Sequence, residues 1–304
     1  MDALSEVISY LKPTATMTGS TEGYSPWALE FSKYEYVKFG FVVEGECWLS
    51  TKGAKNVLLE QGDAWILIRP INFTIGSDLK APVSSMEEVF KGKGPKYTVG
   101  KKTAKSQKTT VFGGRLDFDH FNASFVLDNL PQIIVLKSKD ASNTLKNILK
   151  IFQDETQSMQ MGSKIVIDTL IQLIFVETLR TINFENLKGG SLKGLAHPDI
   201  SKVINEIHKD IKRDWTVADL SKVYGASRSS FAASFKTTVG ISPMEYLQRW
   251  RMIHAKEALK NSQMRVSEIA YSVGYESVTA FSTAFSKVVG QPPKSFRESF
   301  LDPQ

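Results

Sequence analysis

The sequence predicts an α+β chain of two domains: a mainly β N-terminal half that ends in a pair of helices, and an all-α C-terminal third. Short apolar or alternating segments separated by turn residues fill residues 24–136. From residue 142 the apolar residues recur at the period of a helix. Roughly the last 90 residues contain an internal repeat with helix start and stop signals. A length of 304 residues fits two domains at about 100–200 residues each.

The β half is predicted from segments that alternate or run apolar between glycine-containing turns. Turn signals occur at Glu44-Gly45, Lys52-Gly53 and Gln61-Gly62-Asp63. This spacing is typical of an antiparallel barrel or sandwich. The strands are expected at residues 37–43, 47–51, 56–59 and 64–68.

Two helices, over residues 142–160 and 163–184, are predicted to follow the β segments. The second is apolar around most of its circumference and should therefore be buried on several sides. It either packs on the barrel and on its partner helix, or it also forms a dimer seam.

The division into domains follows from a composition change. Glycines and Pro198 gather over residues 185–199, which we interpret as the linker. Residues 1–184 are expected to form the N-terminal domain, which also holds any dimer seam, and residues 200–304 the helical domain.

Charge distribution favours an anionic partner for the C-terminal domain. The net charge is +6, and residues from 195 onward hold 15 Lys and Arg against 11 Asp and Glu. Upstream, the segment from Lys91 to Lys108 contains seven lysines and no acid. We interpret it as a solvated loop, with a supplementary phosphate-contacting loop as the alternative.

Several protein classes are excluded by composition. Cys47 is the only cysteine, so the chain has neither an internal disulfide nor a cysteine-rich zinc site. The longest apolar stretch, residues 165–179, is interrupted by Asp168, Gln172 and Glu177, and no membrane span is expected. The first twelve residues lack a basic start and a long apolar run, so we expect a cytoplasmic protein.

The internal repeat relates two segments of the C-terminal domain. Val217, Leu220 and Gly225 recur 49 residues later. Six further positions recur 50 residues later: Phe231, Phe235, Val239, Gly240, Pro243 and Tyr246. The change from 49 to 50 predicts one inserted residue in the second turn. The residues of the second copy are Val266, Ile269, Gly274, Phe281, Phe285, Val289, Gly290, Pro293 and Phe296.

Each copy is predicted to be a helix-turn-helix: a short amphipathic helix, a glycine turn, a serine N-cap and a second helix. The first copy has helices over residues 217–224 and 228–239, and the second over 266–273 and 278–289. A helix over residues 244–260, about 25 Å long, separates the copies and can hold two recognition helices near the roughly 34 Å spacing of successive major grooves. A helical module that never touches nucleic acid is the alternative, but it leaves the basic charge unexplained.

The C-terminal domain resembles the double helix-turn-helix DNA-binding domain of the AraC/XylS family of bacterial transcription regulators. The matching positions extend over the whole domain. They include residues 215–220, 225–228, Phe231, Phe235, 240–243, 266–270, 273–275, Phe281, Phe285, Gly290 and Pro293.

This resemblance implies that both second helices enter adjacent major grooves and that RNA polymerase is a partner. Small residues at Ala232, Ala233 and Thr283 do not supply bidentate contacts to guanine, so we expect modest base discrimination. Affinity should depend on phosphate contacts from basic residues and helix N-termini. The implied DNA-binding residues are Ser227, Arg228, Ser229, Ser230, Ala232, Ala233, Lys236, Arg249, Arg251, Ser277, Thr279, Ser282, Thr283 and Lys287.

The N-terminal half resembles the cupin β-barrel that many such regulators use as a regulatory domain. The resemblance is carried by residues 37–49, 59–63, Arg69-Pro70, 113–115 and Leu130-Pro131. Cupin enzymes bind a metal through histidines and a glutamate. Here Phe41 and Phe73 occupy the neighbourhoods of those ligands, and the four histidines, His120, His197, His208 and His254, are scattered.

We therefore predict no catalytic residue, no metal and no cofactor, since phosphate-binding loops, nucleophile elbows and paired catalytic carboxylates are also missing from the sequence. The aromatic residues either enclose an apolar or aromatic small molecule or simply fill the barrel. Those candidate ligand-binding residues are Phe39, Phe41, Trp48, Trp65 and Phe73.

Together these features predict a sequence-specific transcription regulator that binds double-stranded promoter DNA and is modulated by a small-molecule effector. Control by a protein partner is the alternative, and a cupin enzyme fused to a DNA-binding tail is a weaker one. A homodimer is a further expectation, and no membrane partner is expected.

Overall fold

The computed structural model describes residues 3–11, 14–32, 37–69, 71–90, 96–118, 120–158 and 160–301. The strands are β1 (Thr14–Tyr24), β2 (Ala28–Phe31), β3 (Val37–Glu44), β4 (Glu46–Thr51), β5 (Val57–Glu60), β6 (Ala64–Leu67), β7 (Phe73–Gly76), β8 (Val83–Ser85), β9 (Lys96–Val99), β10 (Lys108–Asp117) and β11 (Ile133–Leu136). The helices are α1 (Ala3–Leu11), α2 (Met86–Phe90), α3 (His120–Leu127), α4 (Asn143–Ser158), α5 (Ser163–Thr181), α6 (Ser191–Ala196), α7 (Ile200–Lys209), α8 (Val217–Tyr224), α9 (Arg228–Val239), α10 (Pro243–Asn261), α11 (Val266–Ser272), α12 (Val278–Val289) and α13 (Pro293–Leu301).

The described chain forms two compact units that are each discontinuous in sequence. The β unit contains residues 14–118 and 130–182, and the helical unit contains residues 3–11, 120–129 and 183–301. The helical unit thus includes α1 and α3, which the linear division at residue 184 assigns to the N-terminal domain. The segment expected to be a linker contains α6, whose Ser191, Leu192 and Gly194 are buried.

The β unit is built from two sheets that face each other. The six-stranded sheet has the order β11-β6-β3-β10-β1-β9, and the five-stranded sheet has the order β5-β4-β7-β2-β8. Side chains from both sheets form one core that includes Trp27, Val42, Trp65 and Phe73. Cys47 is buried in this core, and burial raises the pKa of its thiol to about 12. The predicted barrel or sandwich with four strands over residues 37–67 is confirmed.

Two glycines let large rings lie against the six-stranded sheet. Gly40 pairs with Trp65 across β3 and β6, and a Cβ at Gly40 would lie 2.3 Å from Cζ2 of Trp65. On β10, a Cβ at Gly114 would lie 2.4 Å from Cζ of Phe39. These close approaches explain why both strands have glycine where a β-branched residue would otherwise be favoured.

Helices α4 and α5, the predicted helical pair, belong to the β unit, and each packs on its strands through one side. Ile167, Ile171 and Phe175 are the buried side of α5. The opposite side is not fully covered within this chain, because Ile165 is 74% exposed and Leu173 is 42% exposed. Both predicted helices are present, slightly shorter than expected.

The lysine-rich segment is partly structured. Its first residues, 91–95, lie outside the described residues. Residues 96–99 form β9, which pairs in parallel with β1, and residues 101–105 are exposed. Lys108 forms ion pairs with Glu44 at 3.0 Å and Glu22 at 3.5 Å.

Within the helical unit, α1 and α3 both contact the long helix α10, and α1 also contacts α7. The Phe125 ring lies 5.1 Å from Tyr246 and 6.2 Å from Trp250. Nδ2 of Asn122 donates to the carbonyl of Tyr10 at 2.8 Å, which joins α3 to α1. These contacts bury the apolar faces of α1 and α3 in the core of the helical unit.

Candidate nucleic-acid interface

The first helix-turn-helix begins at a capping box. Oγ1 of Thr216 accepts the Asp219 N–H at 3.1 Å, and Asp219 Oδ2 accepts the Thr216 N–H at 3.2 Å. This reciprocal bonding fixes the start of α8. The Thr216 hydroxyl also donates to Asp219 Oδ2, and this bond, together with the bond from the Thr216 N–H, lowers the pKa of the Asp219 carboxyl. Helix α8 ends at Gly225, whose φ of +84° is in the left-handed region that favours glycine. Ser227 then caps α9 by accepting the Ser230 N–H.

The second helix-turn-helix repeats this arrangement with one longer turn. Glu268 Oε2 accepts the Arg265 N–H at 2.6 Å at the start of α11. Gly274 has a φ of +83°, and Ser277 caps α12 by accepting the Ala280 N–H at 3.1 Å. The cap follows the glycine by three residues here and by two in the first copy, which confirms the predicted insertion.

Aromatic side chains hold each second helix in the same way. Phe231 lies 5.8 Å from Phe235, which lies 5.7 Å from Tyr246. In the second copy, Phe281 lies 5.6 Å from Phe285, which lies 5.5 Å from Phe296. Because the four phenylalanines at i and i+4 are fully buried, the opposite side of α9 and of α12 is left facing outward.

The outward sides of α9 and α12 carry most of the predicted DNA-binding residues. Ala232 and Ser282 are half-buried, whereas the other predicted residues of these helices and their caps are exposed. Small and hydroxyl side chains therefore dominate both surfaces, with basic residues at their edges. The exposed residues are Ser227, Arg228, Ser229, Ser230, Ala233, Lys236, Ser277, Thr279, Thr283 and Lys287.

The two predicted arginines of α10 occupy different environments. Arg249 forms an ion pair with Glu245 at 3.0 Å, one turn earlier on the same helix. Arg251 is half-buried: its Nε donates to the Ile211 carbonyl at 3.0 Å and its Nη2 to the Arg213 carbonyl at 2.9 Å. Arg249 thus stays a candidate for a phosphate contact, while the donors of Arg251 are directed at the protein.

The segment directly before the first helix-turn-helix is held by contacts that the sequence does not predict. Nε1 of Trp215 donates to the Asp210 carbonyl at 2.8 Å. The Arg213 guanidinium lies 4.0 Å from the centre of the Trp215 ring. Trp215 is one of the positions that carry the family resemblance, but the periodicity of the sequence does not predict its stacking with Arg213.

The candidate ligand-binding residues of the β unit do not converge on one place. Phe39, Phe41 and Trp65 line a cavity under α4 and α5, together with Phe152 and Phe175. Phe39, Trp65 and Phe73 line a second cavity between the sheets. Trp48 lines neither of these cavities and is half-buried between the buried Cys47 and Leu49, which point to the opposite side of β4. Each cavity has room for about one water molecule as it stands.

The second cavity also contains polar groups that sequence reasoning missed. Lys38 is only 7% exposed, and its Nζ lies 5.9 Å from the centre of the Phe31 ring. Burial lowers the pKa of Lys38, and the neighbouring Arg115 lowers it further. Trp65 Nε1 is buried and has no hydrogen-bond partner within the described part of the chain. In the sequence, the only sign of polar groups in this cavity is the position of Lys38 within an otherwise apolar segment.

The part of the chain that the structure describes contains neither a cluster of metal ligands nor a helix that could span a membrane. No group of three or more His, Cys, Asp or Glu side chains there could hold a metal ion. No described helix is long and apolar enough to cross a membrane. Three histidines have structural contacts. The Trp250 ring lies 3.8 Å from His208 and 5.1 Å from His254, and His197 Nδ1 accepts the Asp199 N–H at 3.2 Å.

A β unit of two facing sheets, followed by two helix-turn-helix repeats on one long helix, defines a class of two-domain DNA-binding regulators. Residues 2–183 match the cupin family, and residues 220–299 match the helix-turn-helix domain family. An AraC-like transcription regulator of Streptomyces lividans is 33% identical over 304 residues, covering 98% of each chain. The chain belongs to the AraC-like transcription regulators.

Other known proteins are similar to this chain over different lengths. The HTH-type transcriptional regulator AlkR of Acinetobacter baylyi is 28% identical over 309 residues and covers 98% of this chain and 99% of its own. A solved structure of the C-terminal domain of the response regulator yesN from Fusobacterium nucleatum is 32% identical, covers 31% of this chain and 93% of its own, and has a TM-score of 0.31.

Proposed function

We propose that this regulator binds promoter DNA by placing α9 and α12 in two adjacent major grooves and that its β unit modulates this binding in response to a small molecule. The observation that carries the DNA-binding proposal is the duplicated geometry of the helix-turn-helix. In both copies a left-handed glycine, a serine cap and a buried aromatic trio leave a polar helix face exposed. A helix of about 10–12 Å diameter with such a face fits the roughly 12 Å wide major groove.

The exposed residues favour backbone contacts over base contacts. Arg228, Lys236, Arg249 and Lys287 provide positive charge for phosphates, and the N-termini of α9 and α12 add backbone N–H groups. Ala233 and Thr283 offer methyl groups to thymine but no bidentate hydrogen bonds to guanine. We therefore propose a modestly selective regulator whose affinity is strongly dependent on salt.

The test is selection of binding sites from a random duplex pool with the full chain, followed by affinity measurements over a range of salt concentrations. We expect a motif with two half-sites about 10 base pairs apart, and a steep decrease of affinity with salt. Failure to enrich any motif, together with weak and salt-insensitive binding, would contradict promoter recognition.

The effector proposal is supported by the two aromatic cavities of the β unit. Lys38 and Trp65 Nε1 would hold an acceptor group of an apolar or aromatic ligand, while the rings would surround its body. Since both cavities are nearly filled, such a ligand would stabilise a more open arrangement of the rings. Lys38→Met and Trp65→Phe are expected to abolish the effect of an active metabolite on transcription while preserving DNA binding without it.

Control by a protein partner is the second candidate, and the exposed apolar side of α5 favours it over a purely internal switch. The same surface supports a homodimer, and the family resemblance adds RNA polymerase as a partner. We propose no enzymatic activity, because Phe41 and Phe73 occupy the neighbourhoods in which the ligands of a cupin metal would be expected. Stoichiometric metal in the purified protein would contradict this last proposal.

A further inference from the structure

We propose that Arg251 is a positioning residue that fixes the two helix-turn-helix units relative to each other and thereby sets the half-site spacing that the protein accepts. This inference rests on the proposed reading of two half-sites by one chain. It assigns to Arg251 a task that differs from the phosphate contact implied by family resemblance.

The guanidinium of Arg251 joins α10 to the segment that enters the first helix-turn-helix. Its Nε donates to the Ile211 carbonyl at 3.0 Å and its Nη2 to the Arg213 carbonyl at 2.9 Å. The Arg213 carbonyl also accepts the Trp215 N–H at 2.8 Å. Because Trp215 Nε1 donates to the Asp210 carbonyl, the segment from 210 to 215 is held at several points directly before α8 begins.

The same guanidinium contacts the turn of the second helix-turn-helix. It lies 5.6 Å from the centre of the Tyr275 ring. A Cβ at Gly274 would lie 2.6 Å from Arg251 Nη2 and 2.7 Å from the Lys212 carbonyl, so the Gly274 backbone lies directly against both. Arg251 is therefore the point at which the first unit, the connecting helix and the second unit meet.

Only an arginine fits this arrangement. Its planar group directs several N–H donors along fixed directions, which allows two carbonyls and an aromatic ring to be engaged together. A lysine would keep the positive charge but place a single ammonium on a flexible chain. This difference separates a positioning role from a simple electrostatic role.

The spacing of half-sites gives a readout that a phosphate contact would not change. One added base pair shifts the second half-site by about 3.4 Å and rotates it by roughly 35° about the duplex axis. A rigid pair of units tolerates this shift poorly, whereas a loosened pair adapts to it. The ratio of affinities for the selected spacing and for spacings one base pair longer or shorter therefore measures the rigidity.

The experiment compares the full chain with Arg251→Lys and Arg251→Gln on duplexes of selected, shortened and lengthened spacing, and on duplexes with one half-site scrambled. We expect wild type to prefer the selected spacing by about tenfold or more, and both variants to lose at least about tenfold at that spacing. Their preference should fall to within about threefold, and affinity for scrambled duplexes should change by less than about twofold.

Arg249→Gln, two residues away on the same helix, is the matched contrast. It should weaken binding to every duplex alike and reduce the salt slope by about 0.9 while keeping the spacing preference. Lys52→Gln, at an exposed position in the turn after β4, should change nothing on any duplex. Thermal unfolding of each variant verifies that α8–α12 are folded. If Arg251→Gln does not fold, Tyr275→Leu replaces it, because this variant weakens the same junction from the second helix-turn-helix.

The outcomes separate the two proposals. If wild type shows a spacing preference and the folded Arg251→Lys and Tyr275→Leu variants keep it, the positioning role is wrong while two-half-site binding stands. If Arg251→Lys behaves as wild type and only Arg251→Gln loses affinity on all duplexes, Arg251 is a phosphate contact. If wild type itself shows no spacing preference, the two-half-site reading is wrong and the positioning role falls with it.

Discussion

His208 is the middle member of a buried hydrogen-bond chain in the helical unit. Tyr246 Oη lies 2.9 Å from His208 Nε2, and Glu6 Oε2 lies 3.0 Å from His208 Nδ1. A neutral imidazole that carries its proton on Nδ1 satisfies both contacts, because Nδ1–H donates to the carboxylate and Nε2 accepts from the phenol. Burial lowers the pKa of His208 to about 3, with a smaller contribution from His254, whose own pKa is lowered by burial to about 4.

These pKa shifts predict a loss of stability in acid. The unfolded ring binds a proton near pH 6.5, whereas the folded ring does so only near pH 3. The unfolded state therefore holds more protons between these values, so the free energy of unfolding decreases as pH falls from about 6.5 towards 3 and has no slope from this group above 6.5. Burial raises the pKa of Glu6, which acts in the opposite direction.

The variant His208→Gln should remove this contribution, which amounts to on the order of 3 kcal/mol between pH 7 and pH 4. The difference in the free energy of unfolding is measured at several pH values. Both proteins are titrated with urea, and hydrogen exchange in α7 and α10 reports their unfolding. Glu6→Gln keeps the ring buried and should retain the acid dependence. Parallel pH profiles of wild type and His208→Gln would contradict a neutral buried ring.

At the residue scale, the sequence predicted positions that obey local rules and missed those that depend on distant partners. The serine caps at Ser227 and Ser277 follow from neighbours within three residues. The role of Arg251 depends on carbonyls about 40 residues earlier and on a ring 24 residues later. The burial of Lys38 likewise depends on strands that sequence spacing does not bring together.

At the element scale, the start of α10 gives a direct test of helix capping. Ser242 Oγ accepts the Glu245 N–H at 3.2 Å, and Pro243 occupies the first turn. We expect Ser242→Ala to lower the free energy of unfolding by about 1 kcal/mol. Ser242→Asp should retain stability, since a carboxylate accepts the same bond and interacts favourably with the helix dipole. Equal urea midpoints for the two variants would show that the cap is unimportant.

Two adjacent glycines of β10 should respond oppositely to the same substitution. A Cβ at Gly114 would lie 2.4 Å from the Phe39 ring and 2.8 Å from the Thr16 carbonyl, whereas one at Gly113 would meet its nearest atom at 3.7 Å. Gly114→Ala is therefore expected to cost about 1–3 kcal/mol through overpacking. Gly113→Ala should be neutral or slightly stabilising. Thermal unfolding of the two variants compares them, and similar losses would indicate a general intolerance of β10.

Helix and strand bounds were predicted well where punctuation is local. The bounds of α9 and α12 agree with the expected residues 228–239 and 278–289, because a serine cap and a left-handed glycine delimit each helix. Helix α6 was missed since its glycines suggested a linker. It is helical because Ser191, Leu192 and Gly194 are buried, where Ser191 Oγ donates to the Phe125 carbonyl at 2.6 Å.

At the scale of the whole molecule, the composition of the helical unit predicts that a C-terminal fragment is incomplete. Val7 and Leu11 of α1 are 2% and 0% exposed, and Phe125 of α3 is 7% exposed. A fragment of residues 185–304 lacks all three residues. Tyr246 and Trp250, which contact Phe125 in the full chain, would then be uncovered. We expect the fragment to bind apolar dyes. We also expect α10 to unfold at a lower urea concentration in the fragment than in the full chain.

Hydrogen exchange in α10 compares the fragment with the full chain directly. Phe125→Ala in the full chain should reproduce part of the loss, about 3–5 kcal/mol for a buried phenylalanine. A fragment as stable as α10 in the full chain would mean that α1 and α3 only rest on an independently stable domain. The sequence could not predict this arrangement, because segments distant along the chain join one core.

The exposed side of α5 leads to a prediction about assembly. Ile165, Val166 and Leu173 are 74%, 39% and 42% exposed, although the same helix buries its other side in the β unit. Exposed apolar residues at helical spacing cost solvation free energy unless a partner covers them. We expect sedimentation to show a concentration-dependent dimer that Ile165→Gln combined with Leu173→Gln dissociates. Leu79→Gln, which changes an exposed apolar residue outside α5, should leave the dimer intact. A monomer at all concentrations would instead favour a heterologous protein partner for this helix, because the uncovered side would then lack a second copy to bury it.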